Sequence, residues 1–199
     1  MQEVGFKQHG LHWLSAPYVA WNTVLRVIAS TALVAICAHI SVPLGFTPVP
    51  ITMQTFAVLL LGLLFGPGAA FASLSLYLLE GALGLPVFSP HGVGAIAQLL
   101  GPTGGYLLSY PFAAALTSVL YRRWGQSSLS ALGGAGLASL IILGAGSVWL
   151  ATLTHANFSA VLAQSMVPFL PGEAVKVVAA SGCARVLGTF GRDPRQQTL

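Results

Sequence analysis

The sequence VPFLPGEAVKVVAASGCARVLGT, residues 167–189, places Glu173 and Lys176 three residues apart, with apolar residues on either side. A run of this length can cross a bilayer as a helix. Each charge would cost roughly 2.5–3.5 kcal/mol at the bilayer centre, so charges inside such helices are commonly functional. Because residues three apart lie side by side on a helix, the two can partly neutralise each other. The stretch predicts a membrane-spanning helix whose ion pair either fastens neighbouring helices or receives a polar ligand.

The composition of the whole chain is that of a membrane protein. Hydrophobic residues make up 55% of the 199 positions and charged residues only 6%, and the mean hydropathy is +0.82. These values exclude an ordinary soluble domain. At ~20 residues per span the chain has room for about six helices. The few basic residues are scattered, so no nucleic acid is expected as a partner. The two cysteines match no disulfide or metal motif.

Breaks rich in proline and glycine divide the chain into six apolar runs. The prolines of SVPLGFTPVP, residues 41–50, and the Gly66-Pro67-Gly68 sequence interrupt helices. We predict an all-α integral membrane protein with transmembrane helices at residues 24–40, 51–65, 69–83, 104–121, 129–153 and 167–189. A short helix is predicted at residues 96–100, and residues 154–165 are predicted to be a polar connection.

The predicted domain organisation follows from these runs. Residues 24–190 are expected to form one six-helix membrane domain, and residues 191–199 a polar C-terminal tail. Residues 1–23 are expected to form an N-terminal arm at the membrane interface, because Trp13, Tyr18 and Trp21 precede the first run. They lack the apolar core of a secretory signal peptide.

The basic residues predict the orientation in the membrane. Six of them lie before or at the start of the first run, between the fourth and fifth runs, or after the sixth: Lys7, Arg26, Arg122, Arg123, Arg192 and Arg195. The connections between the first and second, third and fourth, and fifth and sixth runs contain neither Lys nor Arg. Since basic residues favour the cytoplasmic side, both termini are predicted to be cytoplasmic.

With this orientation, polar residues from four helices are predicted to meet in the outer half of the membrane. They are Gln54, Glu80, Tyr106, Glu173 and Lys176. Three long uncharged connections, residues 41–50, 87–103 and 154–167, would lie above them. This arrangement predicts a ligand pocket that is capped by long outer loops and opens to the outside.

Several kinds of chemistry have no motif in this sequence. There is no GxxxxGK[ST] phosphate loop, so an ATP-driven function would need its ATPase on another chain. The five histidines form no HExxH motif, and there is no GxSxG nucleophile motif. No metal site, catalytic residue or cofactor is therefore expected, and the chain is not expected to be an enzyme.

Four segments together resemble one family. They are PVPITMQTFAVLLLGLLFGP (48–67), LYLLEGALGLPVF (76–88), LGPTGGYLLSYP (100–111) and PFLPGEAVK (168–176). Over residues 32–185 the chain resembles the biotin-specific S component of energy-coupling-factor (ECF) transporters, the BioY family. The resemblance implies a multi-pass protein of the bacterial inner membrane that captures biotin from outside. It also implies a coupling transmembrane protein and two ATPase subunits as partners.

The resemblance also implies which residues contact biotin. The acidic residue and lysine of the family motif correspond to Glu173 and Lys176, the glutamine after PVPIT to Gln54, and the tyrosine of GPTGGY to Tyr106. The family commonly has aspartate where this chain has Glu173. In the loop SPHGVGAIAQL (89–99), which departs from the family pattern, the implied contact is His91, Ser89 or the backbone.

The chemistry of these side chains suits biotin. An ionised Glu173 can accept ureido N–H groups, and Lys176 can donate to the ureido oxygen or hold Glu173 ionised. The Tyr106 ring offers an apolar face to the bicycle. Two alternatives remain at this point: an S component for another vitamin, riboflavin or thiamin, and an integral-membrane enzyme that uses Glu80, Glu173 and a histidine.

Small residues predict two helix contacts. Four alanines give the first helix a small-residue face, expected to contact the coupling protein: Ala29, Ala32, Ala35 and Ala38. Gly62 and Gly66 form a GxxxG motif that we interpret as packing within the protein.

Overall fold

The structure is a computed structural model that describes the backbone of residues 17–190 and the side chains of residues 24–187. Apart from one pair of two-residue strands, the regular structure of this part of the chain is helical. Its elements are α1 (Pro17–His39), β1 (Ser41–Val42), β2 (Ile51–Thr52), α2 (Gln54–Leu64), α3 (Pro67–Ala82), α4 (Ala95–Leu100), α5 (Gly104–Arg123), α6 (Ser128–Thr154), α7 (Phe158–Ser165), a 3-10 turn (Val167–Phe169) and α8 (Leu170–Phe190).

The six predicted spans correspond to α1, α2, α3, α5, α6 and α8, and the predicted short helix corresponds to α4. The first helix begins at Pro17, so residues 17–23 of the predicted arm belong to α1. Residues 1–16 and the predicted tail at 191–199, with Lys7, Arg192 and Arg195, lie outside the described residues.

Two predicted boundaries were wrong for local reasons. The second helix begins at Gln54 rather than at residue 51, because Ile51 and Thr52 pair in antiparallel register with β1. The predicted polar connection at 154–165 contains a helix, α7. Its N-cap is Asn157, whose side chain accepts the backbone N–H of Ser159. Such a cap satisfies an amide that would otherwise lack a partner at a helix start.

Prolines and polar caps set the other helix ends. Pro67 lies in the first turn of α3, where its missing N–H costs nothing. The residue before it, Gly66, is extended, so the α2 helix does not continue into α3. Ser127 caps α6 by accepting the backbone N–H of Ser130. The short break between α2 and α3 turns the chain back, so that both helices pack against α5.

The centre of the helix bundle is α2 and α5, which pack against each other and against most other long helices. Gly62 permits this contact: a Cβ there would overlap the backbone oxygen of Ala114 and the side chain of Thr117. The interpretation of Gly62 as internal packing is therefore confirmed. Gly66 is the N-cap of α3, and a Cβ there would meet nothing.

The predicted alanine face of α1 is not a single face. Ala29 and Ala32 are exposed, Ala35 is partly buried and Ala38 is fully buried. The helix packs against α2 and α3, and three-residue steps move positions gradually around its axis. The first two alanines therefore face outward, while the fourth belongs to the core.

Length and apolar composition identify two segments of the described chain that could each cross a bilayer, Ser128–Thr154 and Phe158–Leu187. The second combines α7, the 3-10 turn and α8. Val24–His39 and Gln54–Leu64 are apolar helices of shorter length.

Candidate functional site

A cavity with about 500 Å³ of empty space, including its opening to solvent, lies between α2, α5, α6 and α8. Its polar wall comprises Thr52, Gln54, Thr55, Ser89, Gln98, Thr103, Tyr106, Tyr110, Glu173 and Lys176. Its apolar wall comprises Val49, Pro50, Leu107, Ile142, Leu143 and Phe169. The connections before α2 and before α5 thus contribute to the wall, together with the 3-10 turn before α8.

Glu173 and Lys176 form the ionic part of this wall. They are only 5% and 6% exposed, and Lys176 Nζ lies 2.6 Å from Glu173 Oε1. Their three-residue spacing on α8 aligns the two side chains. Glu173 also lies in the first turn of α8, where the positive end of the helix dipole favours a carboxylate. The predicted ion pair is therefore present and faces a cavity.

Two hydroxyl groups from other helices hold the Glu173 carboxylate. Thr55 Oγ1 of α2 donates to Oε1 at 2.8 Å, and Ser139 Oγ of α6 donates to Oε2 at 2.7 Å. Lys176 Nζ also donates to Thr55 Oγ1 at 3.0 Å. The carboxylate is thus bonded to three helices, which fixes the orientation of its plane.

Gln54 is part of a second hydrogen-bonded chain on the cavity wall. Its Nε2 donates to the Tyr77 hydroxyl at 2.6 Å, and that hydroxyl donates to the Val87 carbonyl at 2.9 Å. Its Oε1 accepts from Thr52 Oγ1 at 3.1 Å. This chain joins α2, α3 and the connection after α3. Gln54 keeps one N–H and one lone pair for another partner.

Tyr106 presents its ring rather than its hydroxyl proton to the cavity. The hydroxyl donates to the Ser165 backbone oxygen at 2.7 Å, and Ser165 Oγ donates to Ser147 Oγ or to the Val161 carbonyl. The ring packs directly on Gly146 of α6, where a Cβ would overlap ring carbons. The hydroxyl proton is therefore already bonded within the protein, and the ring is left to contact a ligand.

The structure does not bring two of the predicted residues to the cavity. His91 is exposed and does not line it, because the loop turns this side chain outward. Glu80 is partly buried near the end of α3 and does not line it either. Ser89, two residues before His91, does line it; its Oγ is buried and has no hydrogen-bond partner among the described residues. In this loop Ser89 replaces His91 as the candidate contact.

Sequence reasoning missed several residues that line the cavity or bond to the side chains that line it. Thr55, Ser139 and Tyr110 are uncharged residues in apolar helices, and only the packing of α2, α5 and α6 against α8 brings them close to the ion pair. Tyr77 was missed although it lies in a segment that carried the family resemblance. Gln98 could have been found, because it is a lone amide in the short predicted helix; its Oε1 accepts the Gly94 N–H at 3.2 Å.

The arrangement suits the binding of a small molecule. Within the described residues no group of three His, Cys, Asp or Glu side chains is close enough to hold a metal ion. The cavity combines aromatic and aliphatic faces with one self-neutralised ion pair and several amide and hydroxyl groups. Such a wall can enclose a small, mostly apolar molecule and fix the orientation of its polar ring.

Comparisons with known proteins agree on one family. The sequence model of the BioY family matches residues 11–192. The chain is 39% identical over 149 residues to the probable biotin transporter BioY of Pyrococcus horikoshii, covering 75% of this chain and 85% of that protein. It is 34% identical over 174 residues to the biotin transporter BioY of Rhizobium etli, covering 83% and 92%.

A solved structure supports the same conclusion for the fold. The crystal structure at 2.1 Å of the S-component for biotin from an ECF-type ABC transporter superposes with a TM-score of 0.81. The two chains are 26% identical, and the match covers 87% of this chain and 94% of the other.

Proposed function

The chain belongs to the BioY family, and on this premise we propose that it captures biotin from outside the cell for ATP-driven uptake. It is the biotin-specific S component of an ECF transporter, a membrane protein and not an enzyme. The observation that carries the proposal for the binding site is the Glu173–Lys176 pair, which is buried and yet lines a cavity that has both polar and apolar walls. A pair that only fastened helices would not need to line a cavity.

We place the ureido ring of biotin at this pair. Lys176 has an N–H left to donate to the ureido oxygen, and Glu173 can accept a ureido N–H. The apolar bicycle and the valeryl chain suit the aromatic and aliphatic side chains of the cavity wall, among them Tyr106, Leu107 and Phe169. Gln54 and Ser89 offer further polar contacts from the α2 and α3–α4 sides.

In the membrane topology that we propose, the cavity opens to the outside. We propose six spans, α1, α2, α3, α5, α6 and α8, with both termini in the cytoplasm. Arg122 and Arg123 lie at the end of α5, and Arg185 lies in the last part of α8, where it donates to Ser128 Oγ at the start of α6. These basic residues therefore lie close together at the end of α5, the start of α6 and the end of α8. The positive-inside rule assigns that side of the protein to the cytoplasm. The cavity is lined by residues from connections that carry no Lys or Arg, which supports its opening to the outside.

Equilibrium binding tests function and orientation together. The purified chain should bind radiolabelled biotin at about one molecule per chain and release it chemically unchanged. Right-side-out vesicles without ATP should bind external biotin, whereas inverted vesicles should not. Chemical conversion of biotin, preference for riboflavin or thiamin, or binding only to inverted vesicles would contradict the proposal.

Ser89 should contribute to biotin affinity, and His91 should not. Ser89→Ala removes a buried hydroxyl that has no protein partner, so one ligand hydrogen bond should be lost and affinity should fall about three- to tenfold. His91→Ala changes an exposed side chain outside the cavity wall and serves as the control. Titration of both variants with labelled biotin is the measurement. Weaker binding by His91→Ala with normal binding by Ser89→Ala would reverse the assignment.

The energising module is a partner of the S component, and we propose that it comprises a coupling transmembrane protein and two ATPases, with α1 as the docking helix. Ala29 and Ala32 offer an exposed small-residue surface on this helix, which permits close helix approach. Ala32→Trp should abolish co-purification with the module and ATP-driven uptake, while biotin binding stays normal. Leu140→Trp, at an exposed position of α6, is the control. Retained complex formation by Ala32→Trp would exclude this surface.

A further inference from the structure

The Glu173 carboxylate has little hydrogen-bonding capacity left for a ligand. An ionised carboxylate offers about four lone-pair positions. Oε1 accepts from Lys176 Nζ at 2.6 Å and from Thr55 Oγ1 at 2.8 Å. Oε2 accepts from Ser139 Oγ at 2.7 Å. Three positions are therefore occupied, and the one that remains is on Oε2.

The Lys176 ammonium group is limited in the same way. Of its three N–H donors, one bonds to Glu173 and one to Thr55 Oγ1 at 3.0 Å. The single hydroxyl proton of Thr55 goes to Glu173, so this hydroxyl accepts from Lys176 and donates to Glu173 at once. One ammonium N–H therefore remains.

We propose that Thr55 and Ser139 determine ligand specificity by leaving the Glu173–Lys176 pair with one free acceptor position, on Glu173 Oε2, and one free donor, on Lys176 Nζ. This arrangement complements the adjacent N–H and C=O groups of a cyclic urea. A cyclic guanidinium presents N–H groups where the urea has its oxygen, so it sets a donor against the Lys176 donor and is rejected. The inference rests on the proposed function, because it assigns ureido recognition to this pair.

Loss of either hydroxyl should relax this selection. Thr55→Val keeps the shape of the side chain but frees a second acceptor position on Glu173 and a second donor on Lys176. Because Thr55 lines the cavity, both become available to a ligand. Ser139 lies behind the carboxylate on α6, so Ser139→Ala frees Oε2 and allows the carboxylate plane to turn toward two donors.

Three ligands test the inference on the purified full-length chain: biotin, desthiobiotin, which keeps the urea but lacks the sulfur, and 2-iminobiotin, whose ring is a guanidinium. The wild type should bind 2-iminobiotin far more weakly than biotin. In Thr55→Val the affinity ratio of 2-iminobiotin to biotin should rise about tenfold, the effect of one charge-assisted hydrogen bond. The ratio of desthiobiotin to biotin should stay constant. Ser139→Ala should shift the first ratio in the same direction.

Two further variants separate specificity from general damage. Thr55→Ser restores the hydroxyl and should restore the wild-type ratio. Thr117→Val makes the same change at another buried threonine. Its hydroxyl donates to the Ala113 carbonyl of its own helix, and it does not line the cavity. The affinity ratios of this variant should equal those of the wild type.

If the wild type binds biotin but binds 2-iminobiotin equally well, the inference is overturned. It is also overturned if Thr55→Val and Ser139→Ala weaken all three ligands alike. If Thr55→Val does not fold, the affinity ratio of 2-iminobiotin to biotin in the wild type and in Ser139→Ala still tests the inference. A wild type that binds no biotin would instead overturn the proposed function.

Discussion

Glu173→Gln should weaken biotin binding by about tenfold or more, since a hydrogen bond to a charged group contributes ~1.5–3 kcal/mol. The amide keeps the shape of the side chain but removes the charge that holds Lys176 and the hydroxyls of Thr55 and Ser139. Lys176→Met should also weaken binding, because it leaves Glu173 buried without its counter-ion. Both single variants should have a lower Tm than the wild type.

The double variant separates a ligand site from a helix fastener. Combining Glu173→Gln with Lys176→Met removes the isolated buried charge, so the Tm should recover relative to Lys176→Met alone. Biotin affinity should not recover, because neither charged partner of the ureido ring is restored. Affinity and Tm are measured on all three variants. Normal biotin binding by a stable double variant would show that the pair is only structural.

Gly146→Ala should change the shape of the cavity by displacing Tyr106, whose ring lines it. A Cβ at this position overlaps the ring of Tyr106, so the ring must move and strain its hydrogen bond to the Ser165 backbone oxygen. Overpacking of this kind costs about 1–3 kcal/mol. Biotin affinity should fall about two- to tenfold if half of this cost appears in binding, and the Tm should fall as well.

Gly144→Ala is the matched control for this prediction. It lies on the same helix, and a Cβ there would meet nothing within 4 Å. Both variants gain the same helix propensity of about 0.5–1 kcal/mol over glycine, so the difference between them reports the clash. Equal affinity and equal Tm in the two variants would contradict the close packing of Tyr106 on α6.

The helix order was predictable because it depends on composition along the chain. Apolar runs long enough for helices and the proline and glycine breaks between them are local properties, and they placed six long helices and α4. The two wrongly predicted boundaries also have local causes. The start of α2 depends on the pairing of Ile51 and Thr52 with residues 41–42, and α7 depends on the Asn157 cap, which is not distinguishable by composition from a polar loop.

The site residues that are charged or belong to a family motif could be predicted from the sequence. Those that reach the site only through the packing of helices could not. Glu173 and Lys176 stood out because charges are rare in this chain. Thr55 and Ser139 contact Glu173 from 118 and 34 positions away, and no sequence spacing indicates that contact. The direction of His91 could not be predicted either, because a glycine-rich loop does not fix which of its side chains faces inward.

The internal neutrality of the ion pair has an electrical consequence. Lys176 is the one basic side chain among the described residues that line the cavity, and Glu173 balances it. In the proposed function, the carboxylate of biotin therefore enters without a counter-charge, and the loaded protein carries one unit of negative charge more than the empty one. Moving that charge inward against an inside-negative potential requires work of up to ~2.3 kcal/mol per 100 mV. ATP hydrolysis by the energising module must supply this work as well as that required by the concentration gradient of the vitamin.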